Sequence, residues 1–141
     1  MTLHLIKLAV GVRDVEHLTA VQAPRIIVTG GGIQAVPVHT RQTPKRAADL
    51  LPGGSLYWVI RGSVAARQIL LDLESGTDSD GDPFCRIWVK VEVIPTRPLP
   101  HRPFQGWRYL AVEAPPSDLK DGDGGDLPSH LQAELRSLGL L

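Results

Sequence analysis

Positively charged and aromatic side chains are concentrated in one stretch of the chain, residues 84–112. Within it Arg86, Trp88 and Lys90 alternate along the sequence, so on a β-strand all three would project from one face. Such a face suits single-stranded nucleic acid, because an indole can stack on a base for roughly 1–3 kcal/mol while the cations hold phosphates. In the alternative interpretation Trp88 lies beneath a helix, and the two cations keep only their charged ends in solvent.

A second group of candidates lies in the proline-rich stretch 97–109. Prolines hold the chain extended, so its side chains have little conformational entropy left to lose on binding. Phe104 and Trp107 could stack on bases, or they could complete the core, and Gln105 could hydrogen-bond a base edge or an amide. The predicted binding residues of this stretch are Arg97, Arg102, Gln105 and Arg108.

The third candidate is a predicted helix start at Thr43, whose hydroxyl can cap the helix. Unpaired N–H groups at such an end favour an anion, whereas cations there cost roughly 0.3–1 kcal/mol each. A cationic first turn therefore breaks a local rule, which is typical of functional sites. In the alternative interpretation Asp49 pairs with a cation one turn away. The cations concerned are Arg41, Lys45 and Arg46.

Other patterns exclude several kinds of site. Residues 30–32 lack the glycine spacing of a dinucleotide-binding loop, and residues 78–89 lack the glycine and the glutamate of a calcium loop. The histidines have no metal-ligand spacing. Cys85, the single cysteine, excludes an internal disulfide and a cysteine-based zinc cluster. The sequence thus predicts neither a metal nor a cofactor.

Composition indicates one domain in the cytoplasm. The chain has 141 residues, 43% of them apolar, and a formal net charge of zero. That neutrality hides an uneven distribution, because the acids are concentrated in residues 72–82 and 118–126. No apolar run is long enough for a transmembrane helix, and the first residues do not resemble a signal peptide.

The periodicity predicts an α+β fold, namely a small mixed or antiparallel β-barrel or sheet with two or three short helices. Residues 55–61 are apolar on both faces and predict a central strand, and residues 64–73 fit a strand or, alternatively, a helix. The proline-rich residues 95–103 predict an extended connection. The predicted strands are 3–10, 25–28, 33–40, 55–61, 64–73, 85–94 and 107–112, and the predicted helices are 15–22, 44–51 and 127–141. The predicted organisation is a domain over 1–114, a flexible acidic and glycine-rich linker over 115–126, and a C-terminal amphipathic helix over 127–141.

Several runs resemble the bacterial domain-of-unknown-function family 1489. They include the sequence Gly-Gly-Ser-Leu-Tyr-Trp-Val-Ile at 53–60 and Arg-Pro-Phe-Gln-Gly-Trp-Arg-Tyr-Leu at 102–110. The resemblance covers most of residues 1–119, and the tail beyond looks like an addition. It implies no established activity, so no catalytic residue is carried over. The order of elements also resembles that of PUA and ASCH barrels, many of which bind RNA while a few hydrolyse modified nucleosides.

Three functions follow as hypotheses. The first is a module that binds RNA or another phosphate-bearing ligand through the basic, aromatic-bearing surface. The second is a small hydrolase acting on a nucleoside-like or anionic compound, with polar groups supplied by Thr40, Thr43, Lys45 and Glu92. The third is an interaction or regulatory domain that docks or self-associates through the C-terminal helix. A binding protein is favoured over an enzyme, since no nucleophile motif is present.

Overall fold

A computed structural model of the chain describes residues 3–51, 53–102, 104–111 and 114–119. It contains eight β-strands, two α-helices and one 3-10 turn. In chain order they are β1 (His4–Leu8), α1 (Val15–Gln22), the 3-10 turn (Ala23–Arg25), β2 (Ile27–Val28), β3 (Gln34–Thr40), α2 (Ala47–Leu50), β4 (Ser55–Ile60), β5 (Ser63–Thr77), β6 (Pro83–Lys90), β7 (Ile94–Pro100) and β8 (Trp107–Leu110).

The strands form one mixed sheet. Its order is β2-β3-β6-β5-β4-β1-β8, with β7 also paired to β5. The pair β1–β4 is parallel and the other pairs are antiparallel. Across the described residues no pairing joins β2 to β8, so the sheet is open. The predicted α+β class, with a mixed sheet and short helices, is confirmed at this level.

Strand β5 joins the two halves of the sheet. Its first part pairs with β4 and β7, and its second part pairs with β6 after a register shift between Leu70 and Asp72. The inner faces of both halves contribute to one core, with Leu5 and Trp58 from one half and Val38 and Ile87 from the other. The open sheet therefore folds over on itself, and a seam is left where β1 approaches β3.

The ambiguous segment 64–73 is part of β5, because its burial alternates with period two. Val64, Ala66 and Leu70 are buried, and Gln68 between them is fully buried. The amide oxygen of Gln68 accepts hydrogen bonds from Trp58 Nε1 at 2.8 Å and from Gln22 Nε2 at 2.9 Å. Its amide nitrogen donates to Gln22 Oε1 at 2.7 Å and to the carbonyl oxygen of Lys90 at 2.9 Å. Because both polar atoms of the Gln68 amide have hydrogen-bond partners, this side chain can be buried in the core without an unpaired polar group.

Several predicted elements are confirmed. All six residues of β4 are buried, and the strand is central, between β1 and β5. Helix α1 begins after Asp14, whose carboxylate accepts a hydrogen bond from the backbone N–H of His17 at 2.7 Å. The core face of β6 is formed by Cys85, Ile87 and Val89, although the strand ends at Lys90.

The prediction for the proline-rich stretch is wrong. It was predicted as a connection, but residues 94–100 form β7, which pairs with the first part of β5. The pairing places β7 off the main path of the sheet, where a missing proline N–H costs little.

The predicted start of helix α2 is also wrong. It begins at Ala47, not Pro44, and no side chain caps it. The backbone N–H groups of Lys45 and Arg46 instead donate to the Tyr109 hydroxyl, at 2.9 and 3.2 Å. Thr43 does not cap α2, because the helix begins four residues later, and the two N–H groups just before the helix are bound to β8.

The end of the described chain runs beside β7. The backbone N–H of Arg97 donates to the carbonyl of Ser117, and that of Leu119 donates to the carbonyl of Pro95, both at 2.9 Å. These contacts involve the first residues of the segment predicted as a linker. The predicted helix over 127–141 lies outside the described residues. In the part of the chain that is described, no helix has the length and apolar character to cross a membrane.

Candidate anion-binding cleft

A cleft of about 680 Å³ opens at the seam of the sheet, between β1 and β8 on one side and the end of β3 on the other. Three of its lining side chains are cationic, and none of the described lining residues is acidic. The lining residues are Lys7, Thr40, Arg41, Gln42, Gln105, Gly106, Trp107 and Arg108.

Aromatic side chains of β8 fix the shape of this cleft. Trp107 pairs in register with Lys7, and its indole N–H donates to the carbonyl oxygen of Gln42 at 2.8 Å. Two residues on, the Tyr109 hydroxyl holds the chain just before α2. The two rings contact each other edge to face, with centroids 4.9 Å apart. The loop after β3 is thereby held against β8. The Trp107 ring packs at the margin of the core and also lines the cleft.

Lys7 is the most unusual group in the cleft. It projects from β1 on the same side as the core residues Leu5 and Ala9, and it is half-buried. Among the described residues, its ammonium group has no ion pair or hydrogen bond. Burial lowers its pKa below the ordinary value of 10.5. A charge that is desolvated without a partner is unfavourable, and such groups are typical of functional sites.

The same side chain borders a second cavity of about 230 Å³. This cavity lies between the end of β1, the side of α1 and β3, and Val12, Leu18 and Val36 contribute apolar walls to it. Lys7 therefore borders both the cleft and this cavity.

Arg108 is held in place by the turn that precedes β8. Its Nη1 donates to the carbonyl oxygens of Gln105 and Trp107, both at 3.1 Å, and its guanidinium lies 5.7 Å from the centre of the Phe104 ring. Gly106 in this turn has a φ of 71°, which favours glycine. The side chains of Arg108 and Gln105 are exposed, as is Arg41 on the opposite wall.

The flanking cations Lys45 and Arg46 lie beside the cleft, where the loop contacts Tyr109. Arg46 pairs with Asp49 at 3.0 Å, the alternative that the sequence left open. Its guanidinium also lies 5.9 Å from the centre of the exposed Tyr109 ring. Both cations are exposed and extend the positive surface toward α2.

The alternating face of β6 is elsewhere. Arg86, Trp88 and Lys90 project together as predicted, but from the side opposite the core, and none of them lines the cleft. Arg86 forms an ion pair with Glu74 at 2.9 Å and packs 4.8 Å from the Phe84 ring. Trp88 is half-buried. In the register of the sheet it faces Asp72 of β5. Carboxylates of β5 thus accompany the cations on this face.

Arg97 and Arg102 are exposed on β7 and on the chain that follows it, and neither lines the cleft. Of the ten residues predicted for binding, the cleft brings together Arg41, Gln105 and Arg108, with Lys45 and Arg46 beside it.

Sequence reasoning missed Lys7. The available signal was a single charged residue at an inward position of an otherwise apolar strand, between Leu5 and Ala9. In the described residues no three His, Cys, Asp or Glu side chains come together as a metal site would require. Cys85 is fully buried, and burial raises the pKa of its thiol.

Fold and cleft together define an α+β protein with an open mixed sheet and a cation-lined cleft at its seam. The chain belongs to the family described as protein of unknown function DUF1489, whose model matches residues 5–141. The match includes residues 120–141, so the interpretation of this tail as an addition is wrong. No curated protein and no solved structure matches the chain.

Proposed function

We propose that this protein is a binding module that holds single-stranded RNA, or a similar phosphate-bearing chain, in the cleft at the sheet seam. One observation carries the proposal: Lys7 faces the cleft without a carboxylate partner among the described residues, and the other charged lining residues, Arg41 and Arg108, are also cations. A phosphate in the cleft would supply the missing counter-charge.

The local excess of positive charge matters more than the net charge of zero. Phosphate contacts supply most of the affinity of nonspecific nucleic-acid binding, and they act over distances set by salt screening. The acidic loop 72–82 belongs to the end of β5 and the turn after it, and it contributes no lining residue to the cleft. A polyanion can therefore meet the cations without meeting those carboxylates.

The aromatic residues favour a ligand with planar bases. Trp107 lines the cleft, and Tyr109 is 37% exposed beside the Arg46 guanidinium. Rings interleaved with cations are typical of grooves that bind single strands, since bases stack while phosphates pair. A PUA- or ASCH-like fold and a cytoplasmic location agree with this proposal and remain part of it.

The hydrolase hypothesis gains no such support. Lys45 and Glu92, two of its four proposed polar groups, are both exposed, and neither lines one of the cavities described for this structure.

The test is fluorescence anisotropy with a labelled single-stranded oligouridylate, measured from low to physiological salt. We expect saturable binding. The logarithm of the association constant should fall linearly with the logarithm of the salt concentration, with a slope of about −2 for three phosphate contacts. Arg41→Ala should weaken binding about ten-fold. Arg102→Ala is the matched control, because it removes an exposed arginine outside the cleft. No binding at low salt, or equal losses in the two variants, would overturn the proposal.

A further inference from the structure

A separate polar cavity lies on the other face of the sheet. It has a volume of about 390 Å³ and is lined from β1, β4 and β5, with residues 115–118 as its fourth wall. Its polar lining side chains are His4, Ser55, Tyr57, Arg67, Ser117 and Asp118. None of these residues lines the cleft at the seam.

Arg67 is at the centre of this cavity. Its Nε and Nη2 donate to the two carboxylate oxygens of Asp118, at 2.8 and 2.9 Å, and its Nη1 donates to the Ser55 hydroxyl at 2.9 Å. A guanidinium has five N–H donors, so about two remain for another acceptor. The carboxylate of Asp118, by contrast, is already occupied by the fork of the arginine.

His4 presents a further donor. Its side chain is 9% exposed, and its Nδ1 accepts a hydrogen bond from the backbone N–H of Ser55 at 3.0 Å. An accepting Nδ1 requires the proton on Nε2, so Nε2–H is the free donor of a neutral ring. Burial and the nearby Arg67 lower the pKa of His4, which keeps the ring neutral. Among the described residues, Nε2–H has no hydrogen-bond acceptor.

Tyr57 provides another hydrogen-bond donor at this cavity. It is 5% exposed, and its ring contacts the His4 ring edge to face with centroids 5.3 Å apart. Its hydroxyl has no hydrogen-bond partner in the described part of the chain. Two donor groups without a hydrogen-bond partner among the described residues thus belong to side chains that line one cavity.

We propose that this cavity is a binding site for a small oxyanion, a carboxylate or a phosphate group, whose oxygens accept hydrogen bonds from Tyr57 Oη, His4 Nε2 and the remaining N–H groups of Arg67. An oxyanion fits because the cavity offers an excess of donors, and each anionic oxygen has several lone pairs. Charge-assisted hydrogen bonds of this kind are the stronger ones. The site is independent of the cleft and of the RNA proposal.

The test is a titration of the full chain, labelled with nitrogen-15, with inorganic phosphate and with acetate in separate experiments. The reporter is the backbone amide of Ser55, because it donates to His4 inside the site. We expect a saturable shift with at least one probe. Saturation by phosphate alone would identify phosphate as the ligand group, and saturation by both would identify the shared oxyanion chemistry.

The variant Tyr57→Phe removes one donor and keeps the ring. We expect about ten-fold weaker binding of the anion. The melting temperature should be unchanged or higher, because the substitution removes a hydroxyl that has no hydrogen-bond partner among the described residues. Tyr109→Phe is the matched control, since its hydroxyl is on the cleft side, and it should bind the probe normally. Lys7→Met should also leave the Ser55 titration intact even if it abolishes RNA binding. Linear shifts without saturation, normal affinity in Tyr57→Phe, or lost affinity in Lys7→Met would each overturn the proposal.

Discussion

Replacing Lys7 by methionine should raise stability while it weakens RNA binding. Methionine has nearly the same length and keeps the half-buried stem, but it removes the ammonium group that has no partner among the described residues. Removing such a charge should raise the free energy of unfolding by about 1 kcal/mol, within the range of about 0.5–2 kcal/mol typical of single stabilising changes. Urea denaturation monitored by tryptophan fluorescence measures this difference.

The stability difference should depend on pH, with a definite sign. Because the pKa of Lys7 is lower in the folded protein than its ordinary value of 10.5, the unfolded chain binds more protons between those two values. The wild-type protein therefore carries the full cost of the charge below the lowered pKa. That cost disappears as the pH rises through the lowered pKa toward 10.5, so the advantage of Lys7→Met should shrink over this interval.

Binding should change in the opposite direction to stability. One lost charge-assisted contact is worth about 1.5–3 kcal/mol, or about 10–150-fold in affinity, and the magnitude of the salt slope should decrease by about 0.7. Lys90→Met is the matched control, because Lys90 is exposed on the outer face of β6. It should change stability by less than about 0.5 kcal/mol and show no such pH dependence. The reasoning is refuted if Lys7→Met is less stable than the wild type, or if the two methionine variants behave alike.

Three further predictions concern the core and the polar cavity around Arg67. Gln68→Leu should lower the free energy of unfolding in urea by about 3 kcal/mol, because Trp58 Nε1 and other buried groups lose their partner; a loss below 1 kcal/mol would contradict the network. Cys85 should react with a thiol reagent only as fast as the protein unfolds, since the thiol is fully buried; rapid labelling in native buffer would argue against that burial. Arg67 holds the pKa of Asp118 below its usual range, so this pair stabilises the fold at neutral pH and the contribution is lost as pH falls through the lowered pKa. When melting temperature is plotted against pH, Asp118→Asn should reduce the fall at acidic pH. An unchanged fall would show that the pair contributes little to stability.

The sequence predicted the elements that depend on local pattern. The continuous apolar run of β4 and the alternation of β6 were sufficient to place both strands and to separate the two faces of β6. The start of α2 could not be predicted in the same way. The two N–H groups that precede it, those of Lys45 and Arg46, donate to the Tyr109 hydroxyl 64 and 63 residues away, and nothing local to Thr43 reveals that acceptor.

The site was predictable only in part for the same reason. The charge at position 7 is visible in the alternation of β1, but its place in a cleft depends on β8 pairing with β1 and on the loop after β3 bonding to Trp107. Likewise, the pairing of Arg86 with Glu74 depends on the register between β5 and β6, which places the two side chains opposite each other. Long-range register, more than residue type, decided which cations share a surface.

The 15 residues of β5 also have a consequence for how the molecule opens. Hydrogen bonds connect this strand to β4, β6 and β7, so neither half of the sheet can separate without breaking its bonds to β5. Partial opening of one half should therefore be rare, and the backbone amides of residues 64–70 should exchange with deuterium only through complete unfolding.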